Sequence, residues 1–268
     1  MRNTPTIPLR SGRRMPAIGL GTWQLTDDTA GAITDALRLG YRMIDTSGDY
    51  GTQRAIGEAL RNGAGVEGEV FVVTKVEEDE DSYEAARKNL DELGLERVDL
   101  LLLHRPPQKG VGQRLWQGLV KAMNDGLCRE IGVSNYDVGQ IEELVEKTGV
   151  LPAVNQVEWT PFGHSKELLH FCRDNAIVLQ AYSPLTRATR LGDGTLGKIA
   201  RRHRRTPAQV LLRWNLELGT VPLPKASRAD HRRENLAVFD FELDEAELVE
   251  LNELNERYSA LGEGLPYH

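Results

Sequence analysis

Short apolar runs alternate with amphipathic stretches along nearly the whole of this 268-residue chain. The apolar runs have the length and composition of buried β-strands, and the stretches between them have the periodicity of helices that cover one face. Eight such strands with intervening helices in about 250 residues are typical of a closed (β/α)8 TIM barrel. The alternation therefore predicts an α/β protein of this architecture.

The predicted elements follow one another without a long gap. A short β-hairpin, Thr6–Leu9 and Arg14–Ala17, opens the chain, and an extra helical segment ends it. The barrel strands are predicted at Ile18–Gly21, Tyr41–Asp45, Val70–Lys75, Val98–His104, Arg129–Ser134, Ala153–Glu158, Ile177–Tyr182 and Thr220–Pro224. Helices are predicted at Thr29–Leu39, Gln53–Arg61, Ser82–Leu93, Leu115–Asp125, Val138–Lys147 and Lys166–Asn175. Four of these helices are followed by a glycine that suits a left-handed C-cap: Gly40, Gly94, Gly126 and Gly149.

An open doubly wound sheet is the alternative arrangement of the same elements. In such folds the first strand is followed by a GxGxxG fingerprint that opens a helix. Residues 19–23, GLGTW, lack the third glycine and the helix start. The sequence therefore favours the closed barrel. No Pro/Gly/Ser-rich linker divides the chain, so we expect one domain over residues 1–268.

The bulk properties argue against several classes of function. The formal net charge of −7 disfavours a nucleic-acid partner. No apolar run reaches the roughly 20 residues that span a bilayer, and the first residues lack the apolar core of a secretory signal. Cys128 and Cys172 form neither a metal-binding spacing nor a disulfide framework. We therefore expect a cytoplasmic protein that acts on a small molecule, without a metal, a membrane or a nucleic acid.

Three successive strands end in an ionisable residue, namely Asp45, Lys75 and His104, and Tyr50 lies in the loop after the first of them. Neighbouring barrel strands bring their carboxyl ends together at the face where these folds place their chemistry. A nearby ammonium group favours tyrosinate, so we expect Lys75, held by Asp45, to lower the pKa of Tyr50. Tyr50 would then protonate a carbonyl oxygen that His104 orients, while a hydride reaches the carbon.

Later strand ends supply neutral hydrogen-bonding groups that can bind an amide in one orientation: Ser134, Asn135 and Gln156. The face of Tyr182 can stack on a flat heterocycle. Lys225 precedes three arginines that suit a phosphate: Arg228, Arg232 and Arg233. Each of these residues alone is equally well explained by packing or turn formation, and a lone Asp–Lys pair is often structural. Their joint arrangement favours a site.

On these residues the chain resembles an aldo-keto reductase along nearly its whole length. The segments concerned are GLGTW (19–23), GYRMIDTSGDYG (40–51), VTK (73–75), LLLHRP (101–106), IGVSNY (131–136), NQVEW (155–159), AYSPL (181–185), PLPKAS (222–227) and ENLAVFDFEL (234–243). The likeness extends to the bacterial branch of 2,5-diketo-D-gluconate reductases. It implies a barrel that binds NADPH across its C-terminal face without a Rossmann fold, in a monomer or weak dimer.

The resemblance also implies a role for each matching residue. Tyr50 would be the general acid, Lys75 and Asp45 would tune it, and His104 would orient the carbonyl. Trp23 would form a wall of the substrate pocket. The positions that match cofactor contacts are Ser134, Asn135 and Gln156 for the carboxamide, Tyr182 for stacking, Ser183 and Leu185 for the pyrophosphate, Lys225 for the 2′-phosphate, and Glu234 and Asn235 for the adenine. Ser227 and Arg228 are also expected to bind the cofactor.

Departures from the family pattern bear on substrate and cofactor. An aromatic residue usually follows the catalytic histidine, and a tryptophan usually lies two residues past the lysine; here they are Arg105 and Glu77. We expect both to line the substrate pocket and to favour a polar or hydroxylated carbonyl, or to pair with each other and seal it. Ala226 and His231 replace a serine and an arginine at the phosphate end, so Arg228 is expected as a substitute cation. NADH stays open as a second cofactor.

Two other functions also stay open. A Schiff-base lyase on the same barrel would use Lys75 or Lys225 as its nucleophile. A redox-sensing or regulatory subunit would bind the cofactor with little turnover. The loops after the fourth and seventh strands and the tail after Asn255 are short. We therefore expect an open, shallow site and a tail that forms a surface coil.

Overall fold

A computed structural model describes residues 4–62, 69–262 and 264–267 of the chain. Its strands are β1 (Thr6–Pro8), β2 (Arg14–Pro16), β3 (Leu20–Gly21), β4 (Met43–Asp45), β5 (Phe71–Val76), β6 (Val98–Leu103), β7 (Cys128–Ser134), β8 (Val154–Glu158), β9 (Val178–Tyr182) and β10 (Val221–Pro222). Its α-helices are α1 (Thr29–Leu39), α2 (Gln53–Arg61), α3 (Ser82–Leu93), α4 (Gln113–Asn124), α5 (Val138–Thr148), α6 (Lys166–Asp174), α7 (Gly194–His203), α8 (Pro207–Glu217), α9 (Ala229–Leu236) and α10 (Glu245–Asn252).

The strands β3 to β10 pair in chain order into one parallel sheet of eight strands. The sheet closes on itself, because the backbone N–H of Gly19 donates to the carbonyl of Pro222 at 3.1 Å and that of Gly21 donates to Pro224 at 3.2 Å. This contact requires glycine, since a Cβ on Gly21 would lie 2.8 Å from the carbonyl oxygen of Leu223. The predicted (β/α)8 barrel is confirmed, and the open doubly wound alternative is wrong.

The helix signals in the sequence correspond to real caps. The helices α1, α2 and α3 have the predicted bounds. Gly40 takes the left-handed conformation at φ 115° and donates its N–H to the last carbonyls of α1. Thr206 and Gln209 form a capping box around Pro207 at the start of α8. Helix α7 has no predicted counterpart, because Gly194 and Gly197 weaken its helical pattern.

The alternation of side chains along the strands separates two layers of core. Val72 and Leu101 face the helices, whereas Val73 and Leu102 face the barrel interior. The interior is filled, as expected for a small barrel, and the N-terminal hairpin β1–β2 contributes Met15 to it. Because side chains alternate with a period of two, residues two positions further along each strand also point inward at the carboxyl end.

Two runs of like charge in the sequence, residues 77–81 (EEDED) and 201–205 (RRHRR), form specific contacts. His203 Nε2 lies 2.7 Å from Glu247 Oε2, and Arg202 lies 3.6 Å from the same carboxylate, so the basic run 201–205 joins α7 to α10. In the acidic run 77–81, Asp81 caps α3 by accepting from the N–H groups of Tyr83 and Glu84.

The tail after Asn255 corrects the expectation of a surface coil. Ser259 Oγ donates to Glu158 Oε2 at 2.8 Å, and the N–H of Ala260 donates to Glu158 Oε1 at 2.6 Å. The Tyr267 side chain is buried, with its hydroxyl bonded to the Glu158 carbonyl. A buried carboxylate at the end of β8 therefore fixes the tail across the barrel mouth.

Among the described residues, no helix is long and apolar enough to cross a membrane.

The filled interior predicts an asymmetry between two identical substitutions. Val73→Ala should lower the free energy of unfolding by about 2 kcal/mol, because it removes two methyl groups from a fully buried site and leaves a cavity. Val249→Ala, at a side chain that is 50% exposed, should change it by less than about 0.5 kcal/mol. Urea denaturation followed by circular dichroism measures both. Equal losses for the two variants would contradict the assignment of Val73 to the barrel interior.

Candidate active site

A cavity of about 890 Å³ opens at the carboxyl ends of the barrel strands. This volume lies in the upper part of the range for small-molecule sites, about 300–1,000 Å³. Three of the four predicted catalytic residues line it, namely Asp45, Tyr50 and His104. Lys75 lies directly behind them, with its side chain fully buried.

Three hydrogen bonds hold the Lys75 ammonium group in place. Lys75 Nζ donates to Asp45 Oδ1 at 2.9 Å, to Asp45 Oδ2 at 3.0 Å and to the carbonyl oxygen of Thr46 at 2.8 Å. Asp45 Oδ2 also accepts from Gln156 Nε2 at 2.8 Å. A buried charge needs such compensation, because its removal from water is costly. The pair thereby ties β4, β5 and β8 together at the floor of the cavity.

Tyr50 is the last residue of a short 3₁₀ turn, Gly48–Tyr50, which comes soon after Asp45 in the chain. The Lys75 ammonium lies 5.1 Å from the centroid of the Tyr50 ring. The rings of Tyr50 and His104 meet edge to face, with centroids 5.8 Å apart and planes at 69°. His104 Nδ1 lies 2.6 Å from Glu77 Oε1. The structure thus brings all four predicted catalytic residues into one cluster.

The expected acidic phenol is not present. Burial raises the pKa of Tyr50 well above its ordinary value, the carboxylates of Asp45, Asp49 and Glu77 raise it further, and Arg105 lowers it. Lys75 does not offset this, since its ammonium is bonded to the Asp45 carboxylate, whose negative charge opposes its effect at the phenol. The expectation that Lys75 lowers the pKa of Tyr50 is therefore wrong for this structure.

The predicted amide-binding residues form a hydrogen-bonded chain beside the cluster. Asn135, at a left-handed φ of 65°, donates to the carbonyl of His104 at 3.0 Å and accepts from the Tyr182 hydroxyl at 2.8 Å. Ser134 Oγ donates to the carbonyl of Gln156 at 2.7 Å. Gln180 was not predicted, yet it accepts from Gln156 Nε2 at 2.9 Å. A glutamine inside the apolar run VLQAY was the signal that would have found it.

The residues predicted to bind the phosphate and the adenine form two groups, those that line the cavity and those that do not. Lys225, Glu234 and Asn235 line the cavity, and Asn235 Nδ2 is buried without a hydrogen-bond partner. Arg228 is not part of the lining and pairs with Asp230 at 2.6 Å. The charge and hydrogen bonds of Arg228 lower the pKa of Asp230 well below its usual range. Arg228 is therefore not placed as the expected substitute cation.

Arg232 has a supporting role in the same segment. Its guanidinium is buried, pairs with Asp35 at 2.8 Å, and donates to the carbonyls of Ala226 and Ser227 at 3.0 and 2.8 Å. These bonds fix the loop that presents Lys225 to the cavity. His231, which replaces the usual arginine, also lines the cavity.

Most of the remaining predicted residues line this cavity: Trp23, Arg105, Ser134, Asn135, Gln156, Tyr182, Ser183, Leu185 and Ser227. Glu77 does not, and it bonds His104 and Ser47 rather than pairing with Arg105. The lining also includes residues that the sequence did not indicate: Asp49, Arg187, Leu261, Leu265 and Pro266. The tail residues carry no motif, so only the fold could place them.

The loop after β9 and the tail border the cavity and correct the expectation of an open, shallow site. Residues Thr186, Arg187 and Ala188 all have positive φ, between 50° and 67°. This conformation places the Arg187 guanidinium 4.8 Å above the ring of Trp23, across the cavity mouth. Both residues line the cavity, so a short loop still reaches over it.

Comparisons with known proteins agree with this architecture. The sequence model of the Aldo/keto reductase family matches residues 17–256. This chain belongs to the aldo/keto reductase family, whose members are NAD(P)H-dependent oxidoreductases. It is 40% identical over 258 residues to an aldo-keto reductase of Mycobacterium tuberculosis, covering 94% of this chain and 92% of that protein. It is 38% identical over 271 residues to morphine 6-dehydrogenase of Pseudomonas putida, covering 94% and 92%.

A solved structure shows the same fold. The aldo-keto reductase of Bombyx mori in complex with NADP superposes with a TM-score of 0.91 at 30% identity, covering 97% of this chain and 95% of that one. The resemblance to the family is therefore confirmed. The narrower likeness to 2,5-diketo-D-gluconate reductases stays a prediction.

The buried pair at the cavity floor predicts strong coupling between its members. Asp45→Asn or Lys75→Met alone should lower the free energy of unfolding by about 3–5 kcal/mol, because each leaves one buried charge uncompensated. The double variant should cost clearly less than the sum of the two single variants. Urea denaturation of all four proteins measures the coupling. Glu143→Gln, at the exposed pair with Lys147, is the control and should show no resolvable change. Additive losses would contradict direct pairing.

Proposed function

We propose that this protein reduces small, polar aldehydes or ketones to alcohols with NADPH, and that Tyr50 is the general acid. The observation that carries the proposal is the cluster of Asp45, Tyr50, Lys75 and His104 at the wall of a cavity large enough for a cofactor and a small substrate. A reduced nicotinamide bound there would supply the hydride.

The residues of the chain supply the proton and the orientation. His104 and Tyr50 face the same part of the cavity, so both can reach one carbonyl oxygen. As the carbonyl carbon accepts a hydride, its oxygen becomes an alkoxide, which is a stronger base than phenolate. Tyr50 then transfers its proton to that oxygen and regains one from solvent. Because burial raises the pKa of Tyr50, the phenol still carries its proton at neutral pH, which is the state that a donor requires.

The cavity suits a dinucleotide. The unsatisfied Nδ2 of Asn235 offers a buried donor to a purine nitrogen. Lys225 provides a cation at the same end, and Tyr182 provides an aromatic face near the catalytic cluster. The NADP complex of the Bombyx mori structure supports NADPH as the cofactor. Because Arg228 is paired with Asp230, Lys225 is the cation proposed for the phosphate on the cavity wall at this end, beside the imidazole of His231, so NADH is proposed as a weaker second cofactor.

A Schiff-base lyase that uses Lys75 is disfavoured by the state of this lysine. Such a lysine must present a neutral amine to the substrate. Lys75 instead has its ammonium group bonded to Asp45 and Thr46 and lies outside the cavity lining. A regulatory subunit with little turnover differs from the reductase only in rate, so a turnover measurement decides between them.

Tyr50→Phe should reduce kcat for carbonyl reduction by about a hundredfold or more, since the variant lacks the transferable proton. NADPH binding, measured by fluorescence titration, should stay within about twofold of the parent protein. Tyr83→Phe is a matched control because Tyr83 is outside the cavity lining and bonds Asp125. Full activity in the Tyr50 variant would remove the proposed acid, and tight NADPH binding without turnover in the parent protein would favour the regulatory subunit.

The preference for a polar substrate rests on Arg105. It lines the cavity, is exposed, and no ion pair within 4 Å is found for it in the described part of the chain. Arg105 directly follows His104 in the chain, and both residues line the cavity. A guanidinium without a partner favours oxygen-rich groups on the substrate over an aromatic ring.

Arg105→Trp should therefore shift specificity. The ratio of kcat/KM for an aromatic aldehyde to that for a hydroxylated aldehyde should rise by about tenfold, because the variant exchanges a charge for an apolar wall. A steady-state panel of aldehydes, diketones and sugars measures the ratio. Arg114→Trp, at an exposed position of α4 outside the cavity, is the matched control. An unchanged ratio would contradict a role of Arg105 in substrate selection.

A further inference from the structure

Glu77 contacts His104 of the catalytic cluster but does not line the cavity. It is the first residue after β5, and its side chain is only 21% exposed. Glu77 Oε1 lies 2.6 Å from His104 Nδ1 and accepts from Ser47 Oγ at 3.1 Å. Burial raises the pKa of Glu77, but the hydrogen bonds from His104 and Ser47 and the charges of His104 and Arg105 outweigh it and hold the pKa below its usual value. The side chain is therefore a carboxylate at neutral pH.

A carboxylate can only accept hydrogen bonds, so the proton in this contact must be on His104 Nδ1. A neutral imidazole has one N–H, and in this tautomer Nε2 keeps its lone pair. A carbonyl oxygen is also only an acceptor. Nε2 can therefore hold a substrate carbonyl only when the ring carries a proton on both nitrogens.

We propose that Glu77 is a positioning residue that fixes the Nδ1–H form of His104 and makes the imidazolium the form that binds a carbonyl substrate. This inference rests on the proposed function, in which His104 orients the carbonyl. The neutral ring, with Nε2 as an acceptor, instead suits an alcohol, which can donate its hydroxyl proton. With Glu77 in place, the charged His104 ring binds the carbonyl for reduction, and the neutral ring binds the alcohol for oxidation.

Two carboxylates lie beside the imidazole nitrogen Nδ1. Asp49 Oδ1 lies 3.8 Å from Nδ1, and Glu77 lies closer still. Tyr50 meets the ring edge to face, and Asp45, Lys75 and Arg105 are ionisable groups around Tyr50 in the described part of the chain. Lys75 is paired with Asp45, and Asn135 contributes a neutral amide from the end of β7. Glu77 is the one carboxylate in direct hydrogen-bond contact with the ring among the described residues, so its removal should have the largest effect.

The first test is the tautomer in the parent protein. Nitrogen-15 NMR of histidine-labelled protein, with the His104 signal assigned from a His104→Gln sample, reports which ring nitrogen carries the proton. At pH values above the titration, we expect the neutral ring to be in the Nδ1–H form. A neutral ring with its proton on Nε2 would overturn the proposal. This test needs no variant at position 77 and no turnover.

The second test removes the charge and keeps the shape. In Glu77→Gln the midpoint of the His104 titration should fall by at least about one pH unit, because a neighbouring opposite charge shifts such equilibria by about 1–3 units. The alkaline limb of kcat/KM for carbonyl reduction should move by the same amount. Glu78→Gln is the matched control; Glu78 is the neighbouring residue, and no contact with His104 is found for it in the described structure. Its titration midpoint and pH profile should not move.

The outcomes separate this inference from the proposed function. An NMR midpoint that stays in place in Glu77→Gln would show that Glu77 does not control the ring. A midpoint that moves while the kinetic limb stays would show that the charged ring is not the carbonyl-binding form. Both results overturn the inference and leave the test of Tyr50 untouched.

Discussion

The site depends on one buried ion pair, between the Lys75 ammonium and the Asp45 carboxylate. Both side chains are buried, so each charge would be destabilising alone. Together they are compensated, because the ammonium also donates to the carbonyl of Thr46 and the carboxylate also accepts from Gln156. The Thr46 bond holds the chain that leads into the turn of Tyr50. The position of the phenol is thus a consequence of how two buried charges are satisfied.

The same pair explains why the electrostatics of the phenol differ from a simple reading of the sequence. A lysine next to a tyrosine suggests an acidic phenol, but the lysine is present with its counter-ion. Burial is the main cause of the raised pKa of Tyr50, and the carboxylates of Asp45, Asp49 and Glu77 raise it further, so the paired lysine does not reverse the direction. Residue types at strand ends predict which groups meet, whereas the charge that one of them experiences depends on all of its neighbours.

Much of the fold and the core of the site follow from periodicity. Val73 and Leu102 are interior residues, and the alternation of a strand places Lys75 and His104 on the same inward side two residues later. Helix caps such as Gly40 are equally local signals. The predictions that failed concern side-chain contacts that no periodic pattern in the sequence indicates. Glu77 and Arg228 lie just outside regular elements, and their side chains turn toward His104 and Asp230, for which the sequence carries no signal. The tail meets the cavity through contacts such as that of Ser259 with Glu158 at the end of β8, which have no pattern in the sequence.

Glu77 and Arg105 are both charged where the family usually has aromatic residues, yet the structure separates what they do. Glu77 contacts the imidazole without lining the cavity, so in the proposed mechanism it acts on the protonation of His104. Arg105 lies on the cavity wall, where it is proposed to contact the rest of the substrate. Both residues lie past strand ends, outside the packed interior, so neither exchange disturbs the barrel. This is consistent with the close superposition of the Bombyx mori structure at 30% identity. Because the two positions act on different atoms, the state of the reacting oxygen and the polarity of the pocket can change independently on one scaffold.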